Sequence, residues 1–109
     1  MRAVAIRLDP TLLVNPDADL RYLLPDLMVE RAGGALVDDG YDYLEDGRMM
    51  IYLLAESLDV ALPTIREVLE TGELLGNSLR SAVAAVADAD GDNFVVIYPP
   101  GSDEDFPLA

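Results

Sequence analysis

The stretch Asp38–Ala55, DDGYDYLEDGRMMIYLLA, decides the fold of this chain. Two strand-like runs meet in it at the turn Glu45-Asp46-Gly47. The second run, Arg48–Ala55, is apolar almost without a break, which predicts a strand covered on both faces, and we place it at the centre of a sheet. The first run, Tyr41–Leu44, alternates Tyr with Asp, as a half-buried neighbouring strand does. The preceding Asp38-Asp39-Gly40 predicts a turn or a β-bulge.

Helices and further strands flank this hairpin. Alternating apolar residues predict a strand at Ala3–Leu8, and Asn15 caps a helix that Pro25 either kinks or splits. The segment 80–87 fits a strand or a helix. We favour a strand because an Asp/Gly-rich turn and the strand-like Phe94–Tyr98 follow it. The predicted elements are, in order, strand 3–8, helix 16–31, extended piece 35–37, hairpin 41–55, helix 60–71, strand 80–87 and strand 94–98.

The order of these elements, β-α-β-β-α-β with an extra strand, is that of an α+β protein. Over residues 3–98 it resembles the ferredoxin-like fold. That resemblance implies an α/β sandwich, in which a mainly antiparallel sheet of four or five strands carries two helices on one face. We assign residues 1–100 to a single α+β domain and residues 101–109 to an acidic C-terminal tail.

Several chemically important residue types are missing from the 109 residues: Cys, His, Lys, Gln and Trp. Without them the chain has no thiolate, no imidazole base and no amine nucleophile. These absences predict a protein that is not an enzyme and that carries no cofactor.

The formal net charge is −14. Phosphate backbones and anionic membrane surfaces repel such a protein, so nucleic acid and membranes are excluded as expected partners. No window approaches the roughly 20 apolar residues of a membrane-spanning helix, and the N-terminal apolar run is too short for a secretion signal. We therefore expect a cytoplasmic protein. Basic proteins and divalent cations are the partners that the charge favours.

Tyrosines and acids concentrate around the central hairpin, a composition typical of protein-binding faces, where Tyr anchors and carboxylates steer. The alternative is that the rings simply cover the sheet. The predicted partner-binding residues are Asp38, Asp39, Tyr41, Asp42, Tyr43, Glu45, Asp46 and Tyr52.

Alternating carboxylates at Asp88, Asp90 and Asp92 suggest a calcium-binding loop. The rest of that pattern fails, since Pro99 stands where a bidentate Glu is needed. A plain hairpin turn is the alternative, because turns also favour Asp, Asn and Gly. These three residues, or the acids of the 38–46 segment, are the candidate ligands of a second hypothesis, a dimeric small-ligand or divalent-cation domain.

Both sides of the strand 48–55 are apolar, so the sheet face away from the helices must also be covered. A homodimer through the sheet or a docked partner would cover it.

Together these patterns predict a non-enzymatic, acidic protein-binding module. Its sharpest form is a small inhibitor or immunity-type protein that masks a basic, nuclease-like partner. An acidic structural subunit is a further alternative.

Overall fold

The computed structural model describes residues 2–87 and 93–99. The elements are β1 Arg2–Leu8, α1 Leu20–Ala32, β2 Leu36–Tyr43, β3 Met49–Ala55, α2 Leu58–Thr71, β4 Glu73–Leu74, β5 Asn77–Ser78, β6 Val83–Ala87 and β7 Phe94–Tyr98, with a short 3₁₀ helix at Pro10–Leu12. Five strands form one sheet in the order β2-β3-β1-β6-β7, in which all neighbours are antiparallel, and β4 and β5 form a separate two-stranded ribbon. The chain is therefore α+β, as predicted.

The apolar hairpin forms where the sequence places it, with β2 paired to β3 across the turn. The expectation that β3 is the central strand is wrong. β3 is internal, but β1 occupies the centre, between β3 and β6. The run Val4–Leu8 is buried throughout, although its alternation with Arg7 predicted only one covered side. Ala5 is small, and Met50 and Tyr52 of β3 and Phe94 of β7 belong to the cluster that packs around it.

The start of α1 differs from the prediction. The helix begins at Leu20 and not at Pro16, because Asn15 is used elsewhere: its backbone N–H and C=O both bond to the Asn77 side chain at 2.7 Å. Pro25 neither splits α1 nor ends it. It is the sixth residue of a continuous helix, the same position that Pro63 holds in α2, and its missing N–H leaves only one carbonyl of the first turn without an intrahelical bond.

Both helices pack on one face of the sheet. Leu24 and Met28 of α1 and Ile65 of α2 share a single core with Ile6 of β1 and Ile51 of β3. The face away from the helices holds a smaller cluster of Ala5, Leu44 and Met50, with Tyr52 and Phe94 packed against it.

The segment 80–87 contains a strand, β6, and not a helix, which confirms the favoured alternative. The strands β4 and β5 form a tight hairpin in which both central residues, Leu75 and Gly76, have positive φ. The predicted calcium-binding loop and the predicted acidic tail lie outside the described residues. Within those residues, no helix is long and apolar enough to cross a membrane.

Candidate protein-binding surface

Three tyrosines form a continuous exposed group where α1 meets the edge strand β2. The ring centroids of Tyr22 and Tyr41 are 5.8 Å apart and those of Tyr41 and Tyr43 are 6.0 Å apart, both in edge-to-face geometry. Each residue is between 43 % and 49 % exposed, so one side of the group is packed and the other faces solvent. We call these three residues the tyrosine cluster. Exposed aromatic groups of this kind anchor protein–protein interfaces.

The register of the hairpin and the start of α1 place the three rings together. Tyr41 pairs with Ile51 and Tyr43 with Met49, whose side chains belong to the core under the helices. The two tyrosines therefore project toward the helix side of the sheet, at its edge. Tyr22 lies in the first turn of α1, outside the buried stripe of that helix, and reaches the same edge.

A guanidinium is stacked on the cluster from within the chain. Arg21 Cζ lies 4.4 Å from the ring centroid of Tyr22 and 5.3 Å from that of Tyr41, within cation–π range. Its Nη1 donates to the carbonyl of Ala18 at 2.9 Å, which fixes the side chain against the helix start. The neighbouring Arg21 lowers the pKa of the Tyr22 hydroxyl, because the cation favours the tyrosinate.

Replacing Arg21 by Met should raise the pKa of Tyr22 toward its ordinary value, because the dominant interaction that lowers it is removed. The measurement is an NMR titration of the Tyr22 ring. Arg31→Met, which removes a cation from the other end of the same helix, should leave the Tyr22 titration unchanged. An unchanged Tyr22 pKa in Arg21→Met would contradict the stacked arrangement.

Acids line the edge strand beside the cluster, and two of them are bonded to the backbone of the strand itself. Asp38 Oδ1 accepts from the N–H of Gly40 at 2.9 Å, and Asp42 Oδ1 accepts from the N–H of Tyr43 at 2.8 Å. The register shifts between Asp38 and Tyr41, and Gly40 has φ +93°. This is the β-bulge that the Asp-Asp-Gly sequence suggested, and glycine is needed at that backbone angle.

The turn residues that the sequence selected have different surroundings. Glu45 and Asp46 lie at the tip of the hairpin, where Gly47 has positive φ. Asp46 is paired: its Oδ2 lies 2.8 Å from Arg48 Nε, and its Oδ1 accepts from the Arg48 N–H. Asp46 therefore contributes less negative field to a partner than Asp39, which is exposed on the edge strand.

Tyr52 is separated from the other predicted residues. It pairs with Ala5 across β1 and lies in the cluster on the sheet face away from the helices. Burial, with a smaller contribution from the negative charge of Asp42, raises the pKa of its hydroxyl. The structure thus brings Tyr41 and Tyr43 together and places Tyr52 with Asp42 on the opposite side.

Sequence reasoning missed Tyr22 and Arg21, although a signal for Tyr22 was present. It is an aromatic residue that does not fit the helical apolar stripe of Leu20, Leu24 and Met28. The sequence also contained a signal that Tyr52 lies on the opposite face of the sheet from Tyr41 and Tyr43. A three-residue turn at 45–47 opposes Tyr41 to Ile51, which gives Tyr52 the other parity.

Carboxylates do not converge on a metal site in the part of the chain that the structure describes. In the 38–46 segment, Asp38, Asp42 and Asp46 each accept hydrogen bonds from backbone N–H groups instead. Asp88, Asp90 and Asp92 lie outside the described residues, and calcium binding there stays a prediction.

A groove lies between α2 and the edge strand β7, away from the tyrosine cluster. It has a volume of about 420 Å³ and is lined by Arg66, Glu67, Glu70, Thr71 and Tyr98. The Tyr98 hydroxyl donates to Glu70 Oε2 at 2.7 Å. Burial, together with Glu70, raises the pKa of Tyr98 to about 12.

The raised pKa of Tyr98 predicts a loss of stability in alkali. The unfolded chain releases this proton near pH 10 and the folded chain near pH 12, so the stabilisation is complete below pH 10 and is lost as the pH rises to about 12. Across that interval wild type should lose about 1–2 kcal/mol more than Tyr98→Phe, measured by urea unfolding at several pH values. Val95→Ala, which changes an exposed side chain of the same strand without removing a titratable group, is the control and should keep the wild-type slope. Parallel wild-type and Tyr98→Phe profiles would contradict the assignment.

Comparison of this chain with protein-family models, with curated proteins and with solved structures gave no match. The candidate site therefore depends on the geometry of the chain itself.

Proposed function

We propose that this chain is a non-enzymatic, acidic protein-binding module whose partner is a basic protein. Its sharpest form is a small cytoplasmic inhibitor or immunity-type protein that masks a nuclease-like partner. The observation that carries the proposal is the tyrosine cluster, nearly half exposed, next to Asp38 and Asp39 on an edge strand.

We also propose that the fold is ferredoxin-like. The strand order β2-β3-β1-β6 supports this, because α1 and α2 each connect two strands that flank a third.

The two parts of the surface serve different purposes. The net charge of −14 attracts a cationic protein over distance and raises the rate of encounter. The rings then supply contact area at a low entropy cost, because a tyrosine side chain has few rotatable bonds and these are already restrained by packing. The seven cations of the chain are all Arg, and Arg21 at this surface is stacked on the rings.

A homodimer through the sheet is a weaker proposal. The sequence predicted a dimer because the sheet face away from the helices is apolar. However, Ala5, Met50 and Ala85 of that face are already fully buried within one chain. Tyr52 and Leu54 on the same face are partly covered. Val37, which pairs with Leu54 on this face, is 42 % exposed, but association through it would have to overcome the repulsion of two chains that each carry −14.

The test is capture from a lysate of the source organism at low and moderate salt, followed by binding kinetics with the purified captured protein. The baits are wild type, the triple variant Tyr22→Ser/Tyr41→Ser/Tyr43→Ser, and a control, Val60→Ser/Val95→Ser, which removes exposed apolar side chains elsewhere. We expect wild type and the control to retain a protein of high isoelectric point that the triple variant loses. The on-rate should fall by about tenfold or more with rising salt.

Two results would refute the proposal. One is a captured partner that is acidic, or whose association rate does not change with salt concentration. The other is equal retention of a basic partner by wild type and the triple variant, which would place the binding surface elsewhere.

A further inference from the structure

The edge strand β2 offers a partner two ways to dock: addition of a strand to its backbone, or contact with its side chains. We propose that the partner docks on the tyrosine cluster through a helix that presents two arginines one turn apart, and does not add a strand to β2. This inference rests on the proposed function, since it specifies the partner's chemistry at the same surface.

Strand addition needs free backbone N–H groups along an edge. In β2 the N–H groups of Gly40 and Tyr43 already donate to Asp38 and Asp42. The bulge at Gly40 further interrupts the regular spacing that an added strand requires. A helix satisfies its own backbone hydrogen bonds and can dock without these groups.

The ring spacing matches side chains on one face of a helix. Successive centroids in the cluster are 5.8 and 6.0 Å apart. Residues four apart on a helix have Cβ atoms about 5–6 Å apart, so two such side chains can meet two neighbouring rings. The edge-to-face packing leaves part of each ring surface open to them.

The chemistry of the rings selects arginine. Arg21 provides an internal example, with its guanidinium over Tyr22 and Tyr41 in a surface that remains almost half exposed. The Asp19 carboxylate acts electrostatically on Tyr22, and Asp38 and Asp39 precede Tyr41 in the same strand, so negative charge near the cluster complements a second cation. Guanidinium groups stack on aromatic faces better than ammonium groups do, because they are planar and more weakly hydrated.

The experiment uses three alanine-based peptides of equal net charge and measures their affinity for the full chain by fluorescence anisotropy. The first carries arginines at positions i and i+4 of a helix, the second carries lysines at those positions, and the third is the arginine peptide with a central proline that breaks the helix. We expect the arginine helix to bind about tenfold more tightly than either of the others. This preference should vanish in Tyr22→Ser/Tyr41→Ser/Tyr43→Ser.

Two matched variants separate charge from backbone pairing. Asp38→Asn/Asp42→Asn removes two charges but keeps an acceptor oxygen for each N–H group. Asp38→Ala/Asp42→Ala removes the charges and the acceptor oxygens together. Docking through a helix predicts that the two variants bind the arginine helix equally. Tighter binding of the proline peptide by the Ala variant than by the Asn variant would show strand addition and overturn the inference.

Failure of the inference can be told apart from failure of the proposed function. If the arginine helix shows no preference while a captured basic protein still requires the three tyrosines, the docking mode is wrong and the function stands. If no basic protein requires them, the function itself fails.

Discussion

Replacing Asn77 by Ala should cost about 2–3 kcal/mol of unfolding free energy. Asn77 is fully buried, and its side chain makes two bonds at 2.7 Å to the backbone of Asn15: Oδ1 accepts from the N–H and Nδ2 donates to the C=O. The variant leaves the Asn15 N–H without its partner and the Asn15 C=O with the Asp17 N–H alone, and it opens a small cavity. Urea unfolding of wild type and variant measures the difference.

The matched control is Asn15→Ala. The bonds from Asn77 go to the backbone of residue 15, so they survive this change, whereas the 3.2 Å bond from Asn15 Nδ2 to the Leu75 carbonyl is lost. We expect a cost of less than about 1 kcal/mol. Equal losses in the two variants would show that the amide pair does not hold the two loops together.

The Asn77 variant should also affect the tyrosine cluster. The Asn15–Asn77 pair ties the loop before α1 to the β4–β5 hairpin, and Arg21 and Tyr22 follow directly in the first turn of α1. Loosening that loop should weaken the contact between Arg21 and Tyr22. The Tyr22 pKa should then rise in the Asn77→Ala variant, which the NMR titration detects.

Gly72→Ala should destabilise the chain by about 3 kcal/mol, within the range for forcing extra atoms into a packed site. Gly72 follows α2 with φ −72°, a backbone angle that any residue can adopt. The reason for glycine is space: a Cβ here would overlap the carbonyl oxygen of Val68 and lie 3.1 Å from Leu79 Cδ1. The Gly72 N–H donates to that same carbonyl at 2.7 Å, so the backbone cannot move away without breaking the bond.

Gly33→Ala is the matched control at the end of the other helix. Gly33 has φ +61°, and a Cβ there would meet no atom within 4 Å. Its cost is conformational only, about 1 kcal/mol. The two glycines end their helices for different reasons, so a smaller loss for Gly72→Ala than for Gly33→Ala would contradict the close approach at Val68.

Part of the candidate site could be predicted from the sequence. Tyr41 and Tyr43 were identified because acids and aromatics alternate along one strand, and their grouping survives in the structure. Tyr22 was missed because it lies on another element, and its contact with Tyr41 depends on how α1 lies against the sheet edge. Tyr52 was grouped with the others through nearness in sequence, whereas strand parity sends it to the opposite face.

Local patterns determined the types of element in this chain. The apolar run 48–55, the Asp38-Asp39-Gly40 bulge and the β-branched run 94–98 each form as predicted, because side-chain periodicity and turn chemistry act over a few residues. The same holds for α2, whose stripe of Ile65, Val68 and Leu69 is buried.

The tertiary structure decided what depends on partners far along the chain. It made β1 the central strand, moved the start of α1 to Leu20 and paired Asn15 with a side chain 62 residues away. It also required glycine at position 72 for a contact and not for a backbone angle. No local pattern encodes these outcomes, because strand order, amide pairing and close approach are fixed only when all segments compete for the same core.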